Sequence, residues 1–544
     1  MSTNRRDFLK GASLGLTGMV AAGNAANAEI RPNAACNDIS AGAAGSGNPR
    51  EVKLNVKLVY YAMIHSSFWE GPCRYSEMSL GPDAEKADAR QRYAETVKKF
   101  RSSLPPEAKM LEPVYLEFQE NTRLQPRDLR VLEADMDQAD LYVLRGYNLS
   151  SHYEVYFASA LNEMCKTPIV GAGHHGRTLA AYLDSMGAEG YAEYAYGGLS
   201  KLMALLRARK VFRQTNMLLI TDIGGAVKGP GYLRGSVRDF DDLKNKFGIG
   251  TAMVSYSELT GERDKILKDP AAMAEVERLG DRLLKQAKAV HMDRELFKNN
   301  VLFYQTVRAL MAKYNCNAYS IDCIEFCSSK LPMAWQITPC VSFSLLSGAG
   351  YATACEGEIG CLLAMNLFSA IAGKSAYMGN LNPYQPGPEK PFYAPYFWVN
   401  DAVQDKADFT FGHNVPTLKM EGFETPDLPF EIRNFVPAGK SGKSGWGASF
   451  KIDFTKIKEK TITLGRFNPA TTKLLLTKAE VVGMRGFSSE RCSTETLIRV
   501  KDPDGFHLRT ATFGHHYVMV YGDYTQELSR MADILKVECI LHSA

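Results

Sequence analysis

Two carboxylates stand one residue apart in Ala352-Thr353-Ala354-Cys355-Glu356-Gly357-Glu358-Ile359, where an apolar strand-like run (350–354) gives way to a helical stretch (361–371). Two histidine sites follow: Gly412-His413-Asn414, and Gly514-His515-His516, which runs into the apolar residues 517–521. Carboxylate oxygens and imidazole nitrogens drawn from distant points of a chain are the donors that a hard or borderline divalent cation takes when some of its positions stay open. The expectation is a metal-dependent active site. Acids at that position could also simply complement the dipole of the helix N-terminus. A carboxylate delivered by an apolar, buried strand nevertheless needs a partner. His413 ends a strand-like run at 409–412, a place where an imidazole is often structural. In His515-His516, strand alternation sends the two rings to opposite faces, so one would ligate and the other contact substrate or solvent. His174-His175 follows another strand-like run, 167–173, with no acid beside it; this reads as substrate contact or structure.

The elements that must position these residues follow from periodicity. Strand-like runs at 52–62, 139–145 and 167–173 alternate with helical patterns at 84–103 and 154–165, as in an α/β unit with a parallel sheet. A second such unit starts near Lys210, with a strand at 214–221 and helices at 237–247, 271–287 and 294–314. The end of the chain has short β-runs with turns, at 461–467, 473–482, 495–500 and 518–521. The expected fold is therefore α/β: two N-terminal domains with parallel sheets (51–209 and 210–400), then a β-rich C-terminal domain (401–544). Glycines at 224–225 and 229–231 have the wrong spacing for a dinucleotide fingerprint or a phosphate loop, and there is no nucleophile-elbow pattern beyond the expected signal peptide.

Composition narrows the function class. With 544 residues and a formal net charge of +4, the chain has no electrostatic footprint for nucleic acid. Asn4-Arg5-Arg6-Asp7-Phe8-Leu9-Lys10 is a twin-arginine signature, followed by a weakly apolar run (11–22) and a small-residue site, Ala26-Asn27-Ala28. That run is too short to anchor a membrane helix. The pattern predicts a signal peptide (1–28) cleaved after Ala28, a polar spacer (29–50), the twin-arginine translocase as a transient partner, and a periplasmic or secreted location. That route carries folded proteins, so the metal could be acquired before export. Six of the eleven cysteines lie between Cys316 and Cys361. Folding in a reducing compartment argues against a disulfide framework, and the spacing of Cys323 and Cys327 is not that of a zinc finger, so most thiols read as small buried apolar groups.

Taken in order, 354–365, 411–416 and 514–523 resemble the three site motifs of the L-fucose isomerase and L-arabinose isomerase superfamily, whose three-part architecture also matches the layout above. The resemblance implies a divalent metal, Mn2+ in type, with Glu358 and His516 as ligands and Glu356 and His413 beside them as ligands or partners. The expected roles are then His413 as a further ligand, Glu356 as a catalytic carboxylate, and His515 and, from its own position, His174 as substrate contacts. It implies aldose–ketose interconversion through a metal-bound enediol, in which a carboxylate moves a proton between carbons. Two carboxylates in one pocket would have their pKa values pushed apart, as an acid/base pair requires. The family also places a catalytic acid roughly two dozen residues before the acidic pair. Residues 335–340 contain none here, and Glu325 or Asp322 would have to stand in. The relatives carry Asp where this chain has Glu358. The family's trimers and hexamers imply a homo-oligomer. Two alternatives share the motifs: a metal-dependent lyase or hydrolase on exported glycans, and a non-catalytic carbohydrate-binding protein.

Overall fold

A computed structural model describes residues 47–68, 81–148, 151–222, 236–384, 407–439, 444–487, 492 and 494–542. The expected signal peptide, most of the spacer and the glycine turns at 224–231 lie outside the described residues, which all belong to one compact unit.

The longest strand of the first layer, β1 (Leu54–Ile64), is buried at all but one position and apolar along most of its length, as a strand covered on both faces must be. It joins β2 (Ala108–Met110), β3 (Val114–Gln119), β4 (Leu141–Tyr147), β5 (Ile169–Gly171) and β6 (Gly190–Ala192) in a parallel sheet of order β2-β1-β4-β5-β6, with β3 also on β1. A second parallel sheet holds β7 (Asn216–Ile220) and β8 (Gly250–Val254). After β9 (Ala289–His291), which pairs elsewhere, come its other members, β10 (Ala318–Ile321) and β11 (Ala352–Cys355), in the order β11-β10-β7-β8. The C-terminal part is antiparallel. Its strands are β12 (Tyr377–Pro383), β13 (Phe409–Gly412), β14 (Phe430–Val436), β15 (Trp446–Ile452), β16 (Thr461–Phe467), β17 (Lys473–Arg485), β18 (Glu495–Val500), β19 (His516–Tyr521) and β20 (Glu538–His542). Strands β16-β19-β12-β13-β18-β17 form a closed barrel, because β17 pairs back onto β16. β20 adds to β17 in parallel, and β14 and β15 form a small sheet with β9. The chain is thus mixed α/β, with parallel sheets first and a β-rich end. The expected boundary at 400/401 falls between the first two barrel strands, and β9 reaches across it.

One helix ties the second sheet to the barrel. Ile359–Ala372 is apolar nearly all round and buried from Ile359 to Phe368. A helix with no polar face must be enclosed on every side. This one packs on β11, on the helix Leu199–Arg213, and on barrel strands β16 and β19. Its first turn therefore lies where strand ends of the second sheet meet the barrel.

The first layer holds a titratable group of its own. Glu154, on the helix Ser151–Met164, accepts a hydrogen bond from the Ala172 amide (3.2 Å) beneath His175. Burial pushes its carboxyl from 4.5 up to about 7, against the Ala172 amide and the charge of Arg145. The folded chain then holds a proton that the unfolded chain has already lost, so stability falls as pH rises from about 4.5 through 7. Each tenfold difference in proton affinity between the two states is worth about 1.4 kcal/mol, so the loss is at most roughly 3 kcal/mol. Glu154→Gln should flatten this dependence and raise the melting temperature at pH 8 more than at pH 5, as thermal unfolding at the two pH values would show.

Candidate metal centre

β11 ends at Cys355, and the chain turns sharply. Glu356 and Gly357 both take left-handed backbone, with φ of +59° and +64°. For Glu356 that conformation costs of order 1 kcal/mol or more, and it persists only where the surroundings impose it. Glu358 follows at the entry to the helix Ile359–Ala372 but does not cap it. Ser236 takes that role: its hydroxyl accepts from the Ile359 amide (3.1 Å) and donates to the Gly357 carbonyl (3.0 Å). The carboxylate of Glu358 is left to face the barrel.

The barrel supplies the imidazoles from the two strands that flank β12. β13 delivers His413, whose backbone is clamped by the Tyr377 hydroxyl, which accepts from its amide (2.7 Å) and donates to its carbonyl. β19 delivers His516, opposite Asn380 in the ladder. His413 and His516 are fully buried, while His515 is exposed. Glu356 reaches both buried rings, with Oε1 3.2 Å from His413 Nε2 and Oε2 3.5 Å from His516 Nε2. Glu358 Oε1 accepts from Arg466 (3.0 Å), and its Oε2 lies 3.2 Å from His516 Nδ1.

The two rings of His515-His516 do not go to opposite faces. Their centroids are only 4.0 Å apart. The regular strand starts at His516, and Gly514 just before it has φ +112°, so the pleat that would separate them has not begun at His515.

The charges settle unequally. Burial opposes ionisation of Glu356, but the His413 hydrogen bond and the nearby His413, His516 and His515 charges overcome it and lower its pKa to about 2. Glu358 is also buried and also lowered, by the His516 hydrogen bond and the Arg466 charge. Although the residue as a whole is exposed, desolvation of its ring against the cluster, together with the adjacent His516 charge, holds His515 below the usual imidazole value.

Donor atoms of Glu356, His515 and His516 all lie within 4.8 Å of one another. Donors about 2.1 Å from a shared cation sit roughly 3 to 4 Å apart, so modest side-chain motion would close this triad on a metal. The buried His516 Nε2 has no hydrogen-bond partner, as expected of a nitrogen suited to ligation. Two imidazoles and one carboxylate fit a borderline divalent cation and leave positions open. The triad borders a cavity of about 300 Å³ whose remaining walls are Ser236, Glu358, Arg466, Pro469 and residues 511–514.

Of the residues expected from sequence, Glu356, Glu358, His413, His515 and His516 converge. Glu325 and His174 do not join them. Glu325 sits at the end of β7, its oxygens accepting from the Thr221 hydroxyl (2.9 Å) and the Asp222 amide (2.9 Å). In the sheet order, β10 separates β7 from β11. His174 packs on His175 just beyond the C-terminal end of β5, in the first sheet. Sequence reasoning missed Arg466 and Ser236. Arg466 had a signal, a single charge in the otherwise uncharged strand 461–467; Ser236 had none. A second cavity, about 440 Å³, lies near the far end of the helix Ile359–Ala372. Its buried Arg207 is bonded to backbone carbonyls of Pro49, Arg50, Val52 and Ala370, and it carries no such cluster.

No family model and no curated protein matches this chain. The fold and the site alone define its class: an α/β protein joined to an antiparallel barrel, with a histidine–carboxylate cluster at the junction.

Metal titration separates the members of the cluster. Glu356→Gln, His515→Ala and His516→Ala should each weaken Zn2+ and Mn2+ binding by about 100-fold or more, beyond the 10- to 100-fold typical of outer partners. His174→Ala and Glu325→Gln should leave it unchanged. Calorimetry and elemental analysis would read both results. Gly514→Ala should also fail to bind: a Cβ there would lie 2.5 Å from Arg466 Nη1, at a φ that alanine resists.

Proposed function

We propose that this protein is a metal-dependent enzyme acting on a sugar or sugar derivative, of the aldose–ketose isomerase type. The convergence of Glu356, His515 and His516 beside a 300 Å³ cavity carries the reading. A cavity of that size is at the lower end of the range for small-molecule sites. Carboxylates, imidazoles and an arginine around it suit a compact polyhydroxylated ligand. Glu356, His515 and His516 would hold a divalent cation, with Mn2+ the favoured choice. When bound, such a cation polarises a carbonyl and offsets charge that develops on oxygen.

The remaining work falls to this chain's own groups. His413 holds Glu356 in place and keeps it ionised. Glu358 and Arg466 hold His516. Ser236 fixes the turn that presents both carboxylates. The twin-arginine pattern at residues 4–10 supports work outside the cytoplasm, and the resemblance supports a homo-oligomer.

One observation favours a second reading, a lyase or hydrolase acting on glycans. Both carboxylates on the cavity are held below their ordinary pKa, and neither is tuned to take a proton near neutrality. Glu325, the expected substitute base, is engaged at β7.

A panel of aldoses incubated with Mn2+-loaded protein in deuterated water should yield ketose, with deuterium entering at one carbon by NMR. Cleavage of oligosaccharides without such exchange would establish the second reading. Ligand binding unaffected by Glu356→Gln, with no turnover of either kind, would leave a carbohydrate-binding protein.

A further inference from the structure

We infer that Arg466 and Glu358 are positioning residues that fix the tautomer of His516 and aim its Nε2 at Glu356. This rests on the metal reading above and revises the part of it that the resemblance supplied, in which Glu358 is itself a ligand.

Arg466 is 1% exposed, and each of its three nitrogens has an acceptor. Nε donates to the Phe467 carbonyl (3.0 Å), Nη1 to the His516 carbonyl (2.7 Å) and Nη2 to Glu358 Oε1 (3.0 Å). A guanidinium is always charged and can only donate, so burying it requires acceptors in fixed places. Two glycines make room. A Cβ at Gly514 would lie 2.5 Å from Nη1, and one at Gly360 would lie 3.2 Å from Nη2. With Oε1 given to Arg466, the other oxygen of Glu358 faces His516 Nδ1 at 3.2 Å.

An ionised carboxylate only accepts, so Nδ1 must carry the hydrogen. In the neutral ring Nε2 then presents its lone pair, 3.5 Å from Glu356 Oε2. Two acceptors facing each other in a buried site are the arrangement that a cation between them relieves. Metal-ligating histidines are usually held in this way by a carboxylate on the opposite ring nitrogen. Both oxygens of Glu358 are used in doing so.

The isosteric Glu358→Gln variant tests the assignment sharply, because glutamine has one acceptor where two donors need one. Arg466 cannot give up its protons, so the amide oxygen goes to Arg466 and the NH2 faces His516. The ring is relieved only by moving its hydrogen to Nε2. Nitrogen-15 NMR of the ring should show Nδ1–H in the metal-free parent and Nε2–H in Glu358→Gln. Zn2+ affinity should fall about 10- to 100-fold in the variant. Arg466→Gly should lose affinity likewise and regain part of it with millimolar guanidinium. Should that variant not fold, Glu358→Gln decides alone. An unchanged tautomer and unchanged Zn2+ affinity in folded Glu358→Gln would overturn the inference, as would Nε2–H in the parent. A parent that shows Nδ1–H yet takes up neither Zn2+ nor Mn2+ would refute the metal reading while leaving the positioning intact.

Discussion

Burial of the Arg466 guanidinium is the constraint from which the rest of the centre follows. A charge removed from water costs several kcal/mol unless it is paired and hydrogen-bonded, and removing one partner of a buried pair typically costs about 3 to 5 kcal/mol. Arg466 therefore dictates where its acceptors lie: the ends of β16 and β19, and the turn between β11 and the following helix. Those are three separate parts of the chain. Glu358 cannot both cap its helix and answer Arg466, so capping passes to Ser236. Gly360 and Gly514 are excluded from bearing side chains by the same guanidinium.

The scaffold around this ion pair is rigid for reasons independent of it. β12 is a barrel strand with β13 on one side and β19 on the other, so the separation of His413 and His516 is set by ladder hydrogen bonds. Their ring centroids are 5.8 Å apart. The helix Ile359–Ala372 has no solvent face with which to slide. Between those fixed bodies the chain has only Glu356 and Gly357 in which to turn, and it turns by using left-handed backbone twice. Strain at a non-glycine residue with its carboxylate in the cluster is the kind that surrounding structure sustains at functional sites.

Much of this is legible in the sequence. Acids at the end of an apolar strand and glycine-flanked histidines announce Glu356, Glu358, His413 and His516, because buried polar groups demand partners whatever the fold. The parallel sheets and the β-rich end are visible as runs and spacings. What cannot be read are the pairings. Closure of the barrel depends on β19 inserting between β16 and β12, and β9 joins β14 across about 140 residues; neither leaves a local trace. The division of labour between the two acids is hidden for the same reason. Glu356 and Glu358 look equivalent in sequence, and only Arg466, more than 100 residues away, distinguishes them. The alternation rule fails at His515 because it applies inside a strand, and the strand starts one residue later.

Charge balance points the same way as geometry. Arg466 and Glu358 neutralise each other at 3.0 Å, and His516 binds to the pair without changing its charge so long as the ring is neutral. Glu356 has no guanidinium or ammonium partner among the described residues. Its ion-pairing neighbours are the imidazoles of His413 and His516. A carboxylate held ionised in a largely buried site places a negative charge beside the cavity. Protonation would relieve it only in strong acid, since the pKa is lowered to about 2. A divalent cation would relieve it at neutral pH, leaving a net positive charge at the cavity mouth for an electron-rich oxygen. Of the two carboxylates, Glu358 has both oxygens engaged, by Arg466 and His516, and Glu356 is the one that belongs to the triad.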